Sequence, residues 1–119
     1  LIQYARPDQT EAKTSHYRIC SVQDPELLKT MLSDAVEILV VVEKHREIWL
    51  YQSVRMHLDR VDRLGEFLEF EAVLSDGEDV RNGHSLLEHL QTKFSLRPSD
   101  LVTGSYSDLL LGAEVQPLG

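Results

Sequence analysis

The sequence predicts an α+β domain, built mainly on antiparallel strands and flanked by helices. Three observations predict it. Apolar and polar residues alternate with period two in five separate stretches. Two further stretches carry helix-starting side chains followed by apolar residues at helical spacing. The chain has 119 residues, 42% of them hydrophobic and 27% charged, which suits one globular unit and is too short for two ordinary ones. Residues 1–119 are expected to form this single domain, with residues 112–119, from Gly112 to Gly119, as its flexible tail.

Residues 1–6 and 15–22 read as the first two strands, joined by a polar loop that is long for a hairpin. Asp24-Pro25-Glu26 then combines a capping oxygen, a proline suited to the first helical position and a first-turn acid. Leu27, Leu28, Met31, Leu32 and Ala35 share one face of the helix so started. A meander follows: a long strand over residues 37–51, a turn at Gln52-Ser53, a strand over 54–61, a turn over 63–66 and a strand over 67–74. Ser75-Asp76-Gly77-Glu78 has capping-box spacing and opens a helix on which Val80, Leu87, Leu90 and Phe94 share a face. Pro98-Ser99-Asp100 starts a short helical turn, and residues 105–111 end the ordered part.

Composition excludes several classes. Twelve bases against 20 acids leave a net charge of −8, so a general nucleic-acid or anionic-membrane surface is not expected, and any anion site must be local. The longest apolar run covers residues 38–42, far short of a bilayer span. Cys20 stands alone, which excludes an internal disulfide and a thiolate cluster and favours a reducing, cytoplasmic setting. Without a histidine partner in sequence, it reads as a buried or half-exposed thiol rather than a nucleophile. No Gly-rich phosphate loop, dinucleotide fingerprint or nucleophile elbow is present. Trp49 and Tyr51 share a strand face and are expected to pack under a helix rather than to stack on bases.

Strand geometry groups the charges. Arg55, His57 and Asp59 point one way along their strand, Glu69 and Glu71 share a face of the next, and Lys44 and Arg46 project together from the long strand. Should the sheet curl with these rows inward, carboxylates would sit beside a basic lining. Hard divalent cations take oxygen ligands from carboxylates and phosphates, while lysine and arginine hold the remaining phosphate charge. An antiparallel sheet with one apolar and one wet face gives the same alternation, in which the charged rows are merely solvated. His57 and His45 have no metal-binding spacing and read as solvated or structurally bonded.

Several segments, in order, resemble the CYTH superfamily, the triphosphate tunnel metalloenzymes that include class IV adenylate cyclases, thiamine triphosphatases and inorganic triphosphatases. They are Tyr4-Ala5-Arg6-Pro7-Asp8, Glu43-Lys44-His45-Arg46, Arg55-Met56-His57-Leu58-Asp59-Arg60-Val61, Leu64-Gly65-Glu66-Phe67-Leu68-Glu69-Phe70-Glu71 and Gly104-Ser105-Tyr106-Ser107-Asp108. The resemblance covers nearly the whole chain and is most specific from Lys44 to Glu71. It implies an antiparallel barrel of the triphosphate tunnel type, here incomplete, with flanking helices. It also implies Mg2+ or Mn2+ as cofactor and a small-molecule triphosphate (ATP, thiamine triphosphate or tripolyphosphate) as partner, with neither nucleic acid nor membrane. Residue by residue, it assigns Arg6, Lys13, Lys44, Arg46 and Arg55 to phosphate and Asp59, Glu69 and Glu71 to the metal.

One departure matters. The family begins with a Glu-x-Glu-x-Lys strand, and no such motif occurs here. The chain therefore matches about the C-terminal two-thirds of the family's domain, by comparison with ordinary domain sizes. Two classes of function remain open: a metal-dependent triphosphatase or adenylate cyclase, inactive should this fragment stand alone, and a non-catalytic phosphate- or partner-binding module on the same fold. A generic sheet with solvated charges is the third reading.

Overall fold

The computed structural model describes residues 1–5 and 13–115. In chain order they form β1 (Ile2–Ala5), β2 (His16–Ile19), α1 (Pro25–Ala35), β3 (Lys44–Tyr51), β4 (Val54–Val61), β5 (Gly65–Ala72), α2 (Val80–Lys93), a 3-10 turn (Pro98–Asp100) and α3 (Tyr106–Val115). The architecture is α+β with antiparallel sheets, as the sequence predicts. Among the described residues the strands form two separate sheets, β1-β2 and β3-β4-β5, and neither closes into a barrel.

Turn chemistry sets the meander. Gln52, with φ 51°, folds β3 back onto β4, while Arg63 (φ 66°) and Gly65 (φ 101°) fold β4 onto β5. The resulting registers place Arg46 opposite Asp59, His57 opposite Glu69 and Arg55 opposite Glu71. The expected long strand is shorter than its alternation implied, because β3 starts only at Lys44. Residues 37–43 lie outside any strand although their β-branched apolar run suits one, since side-chain preference alone does not supply a ladder; Glu43 O accepts from Asp62 N at 2.9 Å.

Helix ends follow local capping, with one difference. Asp24 accepts a hydrogen bond from Leu27 N at 2.9 Å and starts α1 as expected. The Ser75–Glu78 box instead closes a turn, in which Ser75 N donates to Glu78 Oε2 at 2.9 Å and Gly77 takes φ 80°, a non-helical value. Asp79 then caps α2 through Arg81 N. At α3, Ser105 Oγ accepts from Asp108 N and Asp108 Oδ2 accepts from Ser105 N, a reciprocal box that fixes where Tyr106 enters the helix. The helix continues through Gly112 to Val115, beyond the expected end at Leu111.

The core is thin. Among the described residues the buried apolar side chains are Val54, Val61, Leu90 and Leu110. Helix α2 lies on the apolar face of the meander, where Phe94 meets Phe70 at 5.5 Å and Gly83 comes close to Leu74 and Ala72. Strands β1 and β2 are exposed along their whole length, and α1 buries none of its residues. Trp49 is 58% exposed and does not pack under a helix, and Cys20 is exposed rather than buried. Among the described residues no helix is long and apolar enough to cross a membrane.

Candidate functional site

Pairing register and the two-residue pleat bring charged side chains from three strands onto one face of the meander. Strand β3 contributes Lys44 and Arg46, β4 contributes Arg55, His57 and Asp59, and β5 contributes Glu69 and Glu71. All of these but His57 are predicted site residues, six of the eight. Lys13 lies half-buried in the segment leading into β2. Arg6 falls outside the described residues.

Asp59 is the centre of the cluster. Its side chain is fully shielded from solvent. Arg46 Nε donates to Asp59 Oδ1 and Arg46 Nη2 to Asp59 Oδ2, each at 2.6 Å, a bidentate pair of the strong kind. Tyr106 donates its hydroxyl to the same Oδ2 at 2.7 Å, and Lys44 Nζ stands 3.9 Å from it. The hydrogen bond from Arg46, helped by that from Tyr106, outweighs burial and lowers the Asp59 pKa to about 2. The same hydrogen bond with Asp59 raises the pKa of Arg46. Burial, followed by the bond to Asp59, pushes the Tyr106 phenol up.

The glutamates form the second half. Arg46 Nη2 reaches Glu69 Oε2 at 3.2 Å, and His57 lies between the two acids, with Nδ1 3.3 Å from Glu69 Oε2 and Nε2 3.4 Å from Glu71 Oε2. Arg55 Nη1 is 3.9 Å from Glu71 Oε2. His57 is 5% exposed and Asp59 3%, so the rows are not merely solvated, and the reading of a wet face with idle charges fails at these two positions. Glu69 and Glu71 keep about two-fifths of their side-chain surface open, at 39% and 43%.

Tyr106 also seals one end of this face. Its ring packs on Phe67 at 4.9 Å between centroids, and Lys44 Nζ sits 5.2 Å from the ring centre. In the sequence Tyr106 has no role of its own and His57 reads as solvated or structurally bonded, of which the structure shows the second. For His57 a signal exists, since it alternates with Arg55 and Asp59 on one strand face. For Tyr106 the family-like segment over residues 104–108 marks the position but not the partner, since it meets Asp59 through a contact spanning 47 residues.

The donor set is carboxylate oxygen, which suits a hard divalent cation. Both oxygens of Asp59 are engaged by Arg46 and Tyr106. Among the described residues no three of His, Cys, Asp or Glu are grouped as a ready metal cage. Glu69 and Glu71, adjacent on β5 and partly open, are the carboxylates best placed to take an ion.

Fold and site thus define an antiparallel α+β domain whose meander carries a mixed acid-base face closed at one end by a helical tyrosine. The profile of the CYTH domain matches residues 4–106, and the chain belongs to the CYTH domain family. No curated protein matches it. Among solved structures it is similar to the PH1012 protein from Pyrococcus horikoshii OT3, with a TM-score of 0.71 and 23% identity over 91% of this chain. It is also similar to the PH1819 protein from the same organism, with a TM-score of 0.69 and 20% identity over 94% of this chain. The chain spans 65% of the length of each. At that identity the likeness speaks to the fold alone.

Proposed function

We propose that the chain forms most of a metal-dependent, tunnel-type domain that binds a nucleotide or another organic or inorganic triphosphate and processes it, by hydrolysis or by adenylate cyclisation. The observation that carries this reading is the convergence of Lys44, Arg46 and Arg55 with Asp59, Glu69 and Glu71 on one face of the meander. Lys44, Arg46 and Arg55 bind phosphate oxygens, Arg46 and Arg55 with planar forks suited to two oxygens at once. Arg6 and Lys13 join them as further phosphate ligands. Glu69 and Glu71 hold Mg2+ or Mn2+, with Asp59 the third acid of the cluster. When bound, the ion supplies positive charge for the phosphates and acidifies the attacking water or ribose hydroxyl. The single cysteine accords with a reducing, cytoplasmic setting.

The full chain is titrated with tripolyphosphate, ATP and thiamine triphosphate, with and without Mg2+ or Mn2+, and release of phosphate and formation of a cyclic nucleotide are followed. Metal-dependent turnover that Glu69→Gln abolishes supports the enzyme. Metal-independent binding without turnover supports the second reading, a non-catalytic phosphate- or partner-binding module. One observation favours that second reading: the acids of the face are already paired with its own bases.

A further inference from the structure

The geometry points to Asp59 and Tyr106 as a positioning pair that holds the Arg46 guanidinium in place, with Asp59 acting as an internal counter-ion and not as a metal ligand. The inference rests on the triphosphate reading for its purpose and on the contacts of Asp59 for its substance. A carboxylate that takes a metal ion must turn an open lone pair toward the cavity. Asp59 has no exposed side-chain surface, and its two oxygens receive three hydrogen bonds of 2.6, 2.6 and 2.7 Å from Arg46 Nε, Arg46 Nη2 and Tyr106. These bonds take three of the four lone-pair sites of the carboxylate, and the one left on Oδ1 belongs to a side chain with no exposed surface, so an ion has no open face of Asp59 to approach without disturbing its bonds to the guanidinium.

The arrangement instead solves a different problem. A long arginine side chain carries substantial rotamer freedom, and a binding group is effective only when held in one pose. Asp59 grips the Nε edge of Arg46 and one terminal nitrogen, which leaves Nη1 without a contact to Asp59. Tyr106 in turn prevents Asp59 from swinging. It is fixed by the capping box at Ser105 and Asp108 and by its ring on Phe67. A positioning chain thus runs from the first turn of α3, through Asp59, to a phosphate-binding arginine.

The test compares Tyr106→Phe, Asp59→Asn and Glu69→Gln in the full chain, by NMR of the Arg46 side-chain Nε–H and by titration with Mn2+ and with tripolyphosphate. The expected result is a protected Arg46 Nε–H signal in the parent protein, exchanging about tenfold faster in Tyr106→Phe and lost in Asp59→Asn. Mn2+ affinity stays within about twofold in both, falls about tenfold or more in Glu69→Gln, and tripolyphosphate affinity falls about tenfold with Tyr106→Phe. An Arg46 signal indifferent to Tyr106→Phe overturns the inference, and so does loss of Mn2+ binding in Asp59→Asn equal to that in Glu69→Gln. If Asp59→Asn does not fold, the phenylalanine variant carries the test alone. Should the Arg46 signal respond as expected while the parent protein binds neither Mn2+ nor tripolyphosphate, the positioning pair stands and the triphosphate reading falls.

Discussion

Removing the charge of Asp59 while keeping its shape gives a stability experiment whose magnitude follows from the structure. Folding lowers the carboxyl from 3.8 to about 2. Each unit of displacement is worth 1.36 kcal/mol, so ionised Asp59 contributes about 2 kcal/mol at neutral pH. Because the folded value is the lower one, the unfolded chain takes up the proton first as pH falls. The contribution is therefore complete above about pH 4 and disappears between about pH 4 and pH 2. Asp59→Asn cannot lose what it lacks. It is expected to be about 2 kcal/mol or more less stable than the parent protein at pH 7, since Arg46 loses its bidentate partner, with the gap narrowing toward pH 2. Urea denaturation of both proteins between pH 2.5 and pH 7 measures this. Far-UV circular dichroism is the better signal, because Trp49 is 58% exposed and reports burial poorly. A stability gap that stays constant from pH 5 to pH 2.5 would refute the assignment of the Arg46–Asp59 pair.

Two further outcomes follow from packing. Leu90→Ala removes one of the few buried apolar side chains and is expected to cost about 2–3 kcal/mol, read as a lower urea midpoint at unchanged slope. Asp24→Ala removes the cap of a helix that buries none of its residues, so hydrogen exchange is expected to quicken in α1 while the amides of β4 keep their protection.

Legibility in the sequence followed how local each determinant is. Strand β4 occupies residues 54–61 as its alternation predicts, and the face shared by Arg55 and Asp59 is the one observed. The cap of α1 and the turn at Pro98 were readable for the same reason, since a few adjacent residues decide them. Residues 37–43 carry an apolar, β-branched run that suits a strand yet form none, because residue preference is indifferent to whether a partner strand is present. Trp49 was misplaced because which face of β3 a helix covers depends on where α2 docks, and α2 docks on β4 and β5. The capping box at Ser75 has the correct letters, but Gly77 in left-handed backbone makes it a turn. The Ser105–Asp108 box marks where Tyr106 sits, but nothing local names its partner, which lies on β4.

The charges of the cluster also constrain how any polyanion could engage it. Lys44, Arg46 and Arg55 are met by Asp59, Glu69 and Glu71, three of each sign, and the cations stand within 4 Å of those acids. A face that neutralises itself offers a triphosphate little net attraction, in a chain whose overall charge of −8 repels it. One adjustment would restore attraction. A divalent cation on Glu69 and Glu71 would cancel the acids of β5, which frees Arg46 from Glu69 and Arg55 from Glu71 without disturbing the buried grip of Asp59 on Arg46. The metal and the triphosphate would then bind with positive coupling, each raising the affinity of the other by the same factor, as linkage requires. Asp59 is suited to stay in place during that exchange, because it alone of the three acids has no exposed side-chain surface. The two glutamates, partly open, are the ones able to change partners.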